Sequence, residues 1–366
     1  MKINSFNDIS LFQYIMFISQ VQIGIGIMTL PADLAAVAST DGWISIILGW
    51  IVANIISLFI IQIMKRQPNE TIFDLLIRYF GKWIGVFCCI LFIVYCLFVF
   101  TITLFAAIHI TQTWVLPQTA NYFLMILFII PKHMLARQGV RMLGRYAEFV
   151  GISMIIMLPL FFIAMREGHL IHLLPVLKEG WLPVLKGVKT TILSYLGFEL
   201  AFILYPFLRK KQHASAGILI ANTITMFVYL LVTIACYIQF NPYQVGTYIW
   251  PTLDLFETVE FPFIERIEVV FAAFYLFLIS TSGIPYYFTA SFGISQLLNV
   301  KNHKKVIMIF SASYIVLSFF YNPTYYQVST IQKWGGHVGM FISYLFPICF
   351  GLYVVMVDRL QARLPR

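Results

Sequence analysis

The sequence predicts an all-α integral membrane protein of about ten transmembrane helices, built as a 5+5 inverted repeat with its first and sixth helices broken. Three observations predict it. Of 366 residues, 60% are apolar and 11% charged, whereas a soluble chain carries charge at roughly a quarter of its positions. The apolar runs repeatedly exceed the ~18 residues that cross bilayer hydrocarbon. They are also too long and too uniformly apolar for the alternating strands of a membrane barrel. Helices remain, because in lipid they satisfy their own backbone groups. Finally, two helices in corresponding positions of the two halves carry interruptions near mid-membrane.

The spans follow in order. Span 1 covers about 10–37 and contains Gly24-Ile25-Gly26 and Pro31. It is longer than a signal-peptide core and holds Gln20 and Gln22, so it reads as a span rather than a leader. Span 2 covers about 43–64 and stops at Lys65-Arg66; span 3, about 83–113, follows Gly81-Lys82. Spans 4 and 5 cover about 120–136 and 143–165, with Arg137, Arg141 and Arg145 between them. Span 6 covers about 188–208, interrupted at Ser194-Tyr195-Leu196-Gly197-Phe198-Glu199 and carrying Pro206. Spans 7 to 10 cover about 214–240, 263–298, 305–321 and 338–358. The chain 1–366 reads as one transmembrane domain, with a first repeat at about 10–165 and a second at about 188–358.

Orientation comes from lysine and arginine. Eighteen of the 24 fall in one set of segments: Lys2, Lys65, Arg66, Arg78, Lys82, Lys132, Arg137, Arg141, Arg145, Arg209, Lys210, Lys211, Lys301, Lys304, Lys305, Arg359, Arg363 and Arg366. The other set holds Arg166, Lys178, Lys186, Lys189, Arg266 and Lys333. The asymmetry places both termini in the cytoplasm. It also assigns the net charge of +9 to topology and lipid headgroups, with no nucleic-acid partner. The longest outward loops, 166–187 and 241–262, carry Trp181 and Trp250 with several prolines and read as caps at the interface.

The five cysteines lie in apolar segments without metal-ligand spacing, so no disulfide, metal or other cofactor is expected. No phosphate-binding glycine loop or nucleophile elbow occurs, which argues against an enzyme.

The candidate site is the pair of breaks. An unwound segment exposes amides and carbonyls that a continuous helix would consume. Half-helix N-termini favour a carboxylate, and free carbonyls favour an ammonium or a cation. A small molecule bearing both charges, such as an α-amino acid, suits such a site. Gly24 and Gly26, flanking the bulky Ile25, are the candidates for carboxylate capture; Tyr195, Gly197 and Phe198 would form the opposite wall. The competing reading is close helix packing by small residues. Glu199, a carboxylate placed near mid-membrane, would bind an ammonium, relay a proton or lock span 6 to a neighbour. In span 8, the hydroxyls of Ser280-Thr281-Ser282 and of Tyr286-Tyr287 either line a cavity or coordinate sodium, or else hydrogen-bond between helices, with Ser280, Thr281 and Tyr287 the candidates; Tyr95 of span 3 either closes one side of a pocket or is satisfied between helices. His109 reads as an interhelical hydrogen-bonder. Glu265, Arg266 and Glu268 read as an interfacial charge cluster.

The stretch Gly24-Ile25-Gly26-Ile27-Met28-Thr29-Leu30-Pro31 resembles the first-helix signature of the spore germination permease family. Asp41-Gly42-Trp43, Gly81-Lys82-Trp83-Ile84-Gly85, Pro175 to Gly180, Tyr195-Leu196-Gly197-Phe198-Glu199, Ile249-Trp250-Pro251-Thr252 and Ile264-Glu265-Arg266 also resemble that family, in its order along nearly the whole chain. These are the B subunits of bacterial nutrient germinant receptors, within the amino acid–polyamine–organocation superfamily. The resemblance implies a LeuT-like fold in the inner membrane of an endospore. It implies a germinant-sensing role toward an amino acid or similar nutrient, in complex with a membrane A subunit and a lipoprotein C subunit. By motif position the pocket would use Gly24, Gly26, Tyr95, Gly197, Phe198, Glu199 and the Ser280–Thr281 region. An active amino acid transporter of the same fold is the alternative.

Overall fold

A computed structural model describes residues 8–259, 266–300 and 303–363. Lys2, Glu265, Lys301 and Arg366 lie outside the described residues. In chain order the helices are α1 (Leu11–Ile23), α2 (Gly26–Ala38), α3 (Gly42–Arg66), α4 (Ile72–Trp114), α5 (Asn121–Ala136), α6 (Val140–Ala164), α7 (Trp181–Ser194) and α8 (Ala201–Leu204). There follow α9 (Ala214–Gln239), α10 (Pro242–Val245), α11 (Pro251–Glu257), α12 (Ile267–Leu297), α13 (His303–Phe320), α14 (Tyr325–Met340) and α15 (Phe346–Arg363). Among the described residues no named strand occurs; a single bridge pairs Ile9 with Leu208.

Among the described residues, seven helical stretches are long and apolar enough to cross a membrane. The bent pair Trp181–Ser194 and Phe198–Phe207, at 43°, makes an eighth, while Leu11–Ile23 and Asn121–Ala136 are shorter. One of the seven, Gly26–Arg66, is a hairpin. Along α7, Gly26 meets Ser194 and Gly187 lies beside Ala38, whereas on α3 Ser45 meets Gly187 and Gly49 meets Thr191. The helices α2 and α3 therefore run in opposite directions. Following the chain, α1–α2, α3, α4, α5, α6, α7–α8, α9, α12, α13 and α14–α15 trace the ten spans, five in each half. The protein is a multi-pass membrane protein, and large apolar side chains such as Trp83, Ile156 and Phe320 stand exposed on its flanks where lipid tails cover them.

Caps and glycines set the ends. Ser10 and Gln13 form a capping box on α1, and Thr71 and Asp74 form one on α4. Within α4, Gly81 has φ 77°, a conformation that glycine adopts without penalty. There the chain turns from a short helix, Ile72 to Phe80, into span 3. Gly85 packs on the backbone of Ile77, leaving no room for a side chain.

Three boundaries differ from the sequence reading. Span 10 begins at Tyr325, not about 338: a Thr324–Gln327 capping box starts α14. Its polar residues Ser329, Gln332 and Lys333 face an internal cavity, which is why apolarity did not reveal it. A π-helical turn, Phe341–Leu345, joins it to α15. Span 6 begins at Trp181, inside the stretch read as loop. The 241–262 loop holds α10 and α11, and Thr252 donates to the Ile27 carbonyl at 2.7 Å, seating α11 on α2. Lys132, read as an interfacial charge, is 2% exposed and lies over the rings of Phe100 and Phe128.

Candidate functional site

Two helix breaks face each other at the centre. The first separates α1 from α2 at Gly24 and Ile25. A Cβ on Gly24 would overlap the Ser282 hydroxyl, and one on Gly26 the Tyr229 hydroxyl. The second separates α7 from α8 at Tyr195, Leu196 and Gly197, followed by a 3-10 turn over Phe198–Leu200. Gly197 has φ 131° and lies against Val21 and Gln22, so the second break is seated on the first.

Breaking a helix frees carbonyls that must find donors in a dry interior. Tyrosines supply most of them. The Tyr229 hydroxyl lies 2.6 Å from the Gln22 carbonyl and 3.0 Å from the Ser194 carbonyl. With one proton it serves one of them at a time and bridges the two breaks. Tyr275 donates to the Gly24 carbonyl at 3.2 Å and Ser282 to the Gln20 carbonyl at 3.1 Å. Gln22 Nε2 donates to the Tyr195 carbonyl at 3.0 Å and to Asn222 Oδ1 at 2.8 Å. Asn222 continues to Asn54 and Ser57 on α3, and Thr225 closes the chain onto Gln22 Oε1 at 2.7 Å. This uncharged buried network ties α1, α3 and α9 together beneath the breaks.

Glu199 is fully buried. Its Oε1 accepts from Tyr95 at 2.8 Å and Tyr286 at 2.5 Å, and its Oε2 accepts from the Gly197 amide at 2.7 Å. None of the ion pairs among the described residues involves it. Three donors therefore hold the carboxylate where a cation would otherwise be required. The two tyrosine rings meet edge to face at 6.0 Å.

From the breaks a cavity of about 600 Å³ runs toward the face opposite the N-terminus. Ile25, Gly26, Tyr95, Tyr286 and Ser194 line its inner end, and Tyr248 and Ile249 its mouth. Among its described lining residues only Asp33 on α2 and Lys333 on α14 carry charge. The N-terminus of α2, the positive end of its dipole, begins at Gly26 on the inner end. The cavity thus offers donors at a helix N-terminus, hydroxyls, and one charge of each sign. That combination suits a small dipolar molecule.

Of the residues proposed from sequence, Ile25, Gly26 and Tyr95 lie on the cavity wall. Gly24 sits at the break beside Ser282. Glu199 lies behind Tyr95 and Tyr286, one residue from the wall. Tyr195 is buried with its hydroxyl on the Ile46 carbonyl at 3.3 Å. Phe198 packs edge to face on Tyr344 at 5.1 Å. Gly197 joins the two breaks. On α12, Ser280 meets the Tyr146 hydroxyl at 2.5 Å and Thr281 donates to the Leu278 carbonyl at 2.6 Å. Tyr287 turns toward α13, donating to the Ile307 carbonyl at 2.8 Å and stacking on Phe100. Sequence reasoning did not select Gln22, Asp33, Tyr229, Tyr275 or Lys333; Ser282 and Tyr286 stood in the hydroxyl-rich stretch of span 8 without being singled out. Asp33 was findable as a second carboxylate inside an apolar span; the tyrosines were not separable from the other tyrosines of the chain.

A family model described as "Spore germination protein" matches residues 8–326. The chain is 26% identical to spore germination protein GerQB of Bacillus cereus over 97% of this chain and 98% of that one. It is 28% identical to spore germination protein YndE of Bacillus subtilis over 88% and 90%. Spore germination protein A2 of Bacillus subtilis is 27% identical over 97% and 96%. Among solved structures, MhsT in complex with L-phenylalanine superposes with a TM-score of 0.67 at 12% identity, covering 94% of this chain and 87% of that one. The nucleobase-cation-symport-1 family transporter Mhp1, with bromovinylhydantoin bound, superposes with a TM-score of 0.65 at 13% identity over 93% and 79%. Both share the LeuT fold with this chain.

Proposed function

Because the chain belongs to the spore germination protein family, we propose that it is the germinant-sensing subunit of a spore nutrient receptor. A small nutrient, an amino acid or a molecule of similar dipolar character, binds in the cavity at the α1–α2 and α7–α8 breaks. The observation that carries this reading is a cavity of about 600 Å³ ending at both breaks, with one carboxylate held behind its wall by two of the tyrosines that form it. A ligand touching Tyr95 or Tyr286 acts on Glu199 and through it on the Gly197 hinge of the second break. The receptor would sit in the inner spore membrane with both termini in the cytoplasm. A membrane A subunit and a lipoprotein C subunit would read the change. The ligand shifts the bundle only by its differential affinity for the two arrangements.

Spores carrying Glu199→Gln test this. The dose response to L-amino acids should weaken by on the order of tenfold or more, with the protein still present in the membrane. An unchanged dose response would overturn the assignment. Active amino acid transport by the same fold is the second reading, favoured by the matching breaks that transporters of this architecture use. Saturable uptake into proteoliposomes containing this subunit alone would select it.

A further inference from the structure

Beside the main cavity lies a second, smaller void of about 20 Å³, bounded by α2, α4, α12, α14 and the Trp250 ring. It shares Ile25, Thr29, Tyr325, Ser329 and Gln332 with the main cavity, so the two are separated by one layer of side chains. A single water needs roughly 10–15 Å³ by this measure, so the void has room for one or two non-hydrogen atoms. Much of its wall is apolar: Ile25, Met28, Ala106 and Ile110. His109 also lines it, and its Nε2 is buried without a hydrogen-bond partner. The ring is packed edge to face against Tyr325 at 6.2 Å and hydrogen-bonds the Pro323 main chain, which leaves Nε2 as its unpaired nitrogen. An imidazole nitrogen is always a donor or an acceptor. Left unpaired in a dry place it costs about 1–3 kcal/mol, so a partner entering the void gains what the empty void forgoes.

We propose that this void is a side-chain subsite of the nutrient cavity, receiving the neutral hydrogen-bonding tip of the ligand, a hydroxyl, on His109 Nε2. The inference rests on the reading of the main cavity as the nutrient site. Size excludes a ring or a branched tip. Charge excludes a carboxylate or an ammonium, because Asp33 and Lys333 line only the main cavity and a charged tip here would be buried without a counter-ion. Sites built to hydrogen-bond a ligand group discriminate strongly against analogues that lack it. The subsite therefore sets preference among small dipolar nutrients while the breaks set affinity for the shared part.

The test is thermal stabilisation of the purified full-length protein by L-serine against L-asparagine, L-alanine and L-valine, in wild type, His109→Leu and His109→Gln. The expected result is a preference for the hydroxyl ligand in wild type. That preference should fall on the order of tenfold in His109→Leu and be partly retained in His109→Gln. The aliphatic ligands should be little affected. Should His109→Leu fail to fold, Ala106→Val narrows the same void and should produce the same loss. A wild type stabilised by amino acids without preference, or a preference that His109→Leu leaves intact, overturns the subsite and assigns the void to an ordered water only. A wild type that no amino acid stabilises overturns the nutrient-cavity reading, and the subsite with it.

Discussion

Glu199 illustrates what a membrane interior demands of a buried charge. Its two oxygens take three donors, two of them hydroxyls on helices α4 and α12 far apart in sequence. Each tyrosine bond to the carboxylate should contribute about 1.5–3 kcal/mol. Tyr95→Phe and Tyr286→Phe are therefore expected to lower thermal stability in detergent individually. Both act on one oxygen, so their effects should be non-additive. Wild-type melting temperatures in both variants would show that the bonds do not hold the carboxylate. Glu199 was legible in the sequence because a carboxylate inside an apolar run stands out. Its partners were not. Tyr286 looked like its neighbour Tyr287, yet one faces Glu199 and the other faces α13; helical phase decides that, and an all-round apolar helix gives no phase. Likewise, glycine and proline announced the breaks, but the hydroxyls that satisfy the freed carbonyls come from Tyr229 and Tyr275, which carry no local signal.

At the scale of elements, the long apolar helices were read nearly to their ends, because hydrocarbon thickness fixes their length. The errors fell where helices leave lipid for water. The first part of α14 is polar because it lines the cavity, and the start of α7 carries Pro183, Lys186, Gly187 and Lys189; such residues between apolar runs resemble a loop. The same applies to α11, a short helix packed against α2, α9 and α12. Within it, burial and the neighbouring Glu257 carboxylate push the Asp254 carboxyl up from 3.8 to about 6. The folded state then holds more protons than the unfolded state in that interval. Stability falls as pH rises from about 4 through about 6, and stays at the lower level above it. Asp254→Asn, always neutral, should raise the melting temperature at about pH 8 and leave it nearly unchanged at about pH 4. An equal shift at both pH values would contradict a titration origin.

For the whole molecule, two halves of opposite direction place two broken helices in contact, and the cavity follows from that contact. The order of spans, the pairing of breaks and the family resemblance were all present in the sequence, since each depends on spacing along the chain. The cavity's volume, its outlet on the face opposite the N-terminus, and the facing charges Asp33 and Lys333 depend on packing between distant segments. No local pattern encodes them. The central claim is that a small dipolar nutrient binds where the breaks meet. Equilibrium binding of labelled L-amino acids to the purified protein tests it most directly, comparing wild type with Ser194→Trp, which places an indole at the inner end of the cavity. Saturable binding of at least one amino acid, abolished in a Ser194→Trp protein that remains folded and monodisperse, is the predicted result. Binding undiminished by the indole, or no saturable binding to folded wild type, would contradict it.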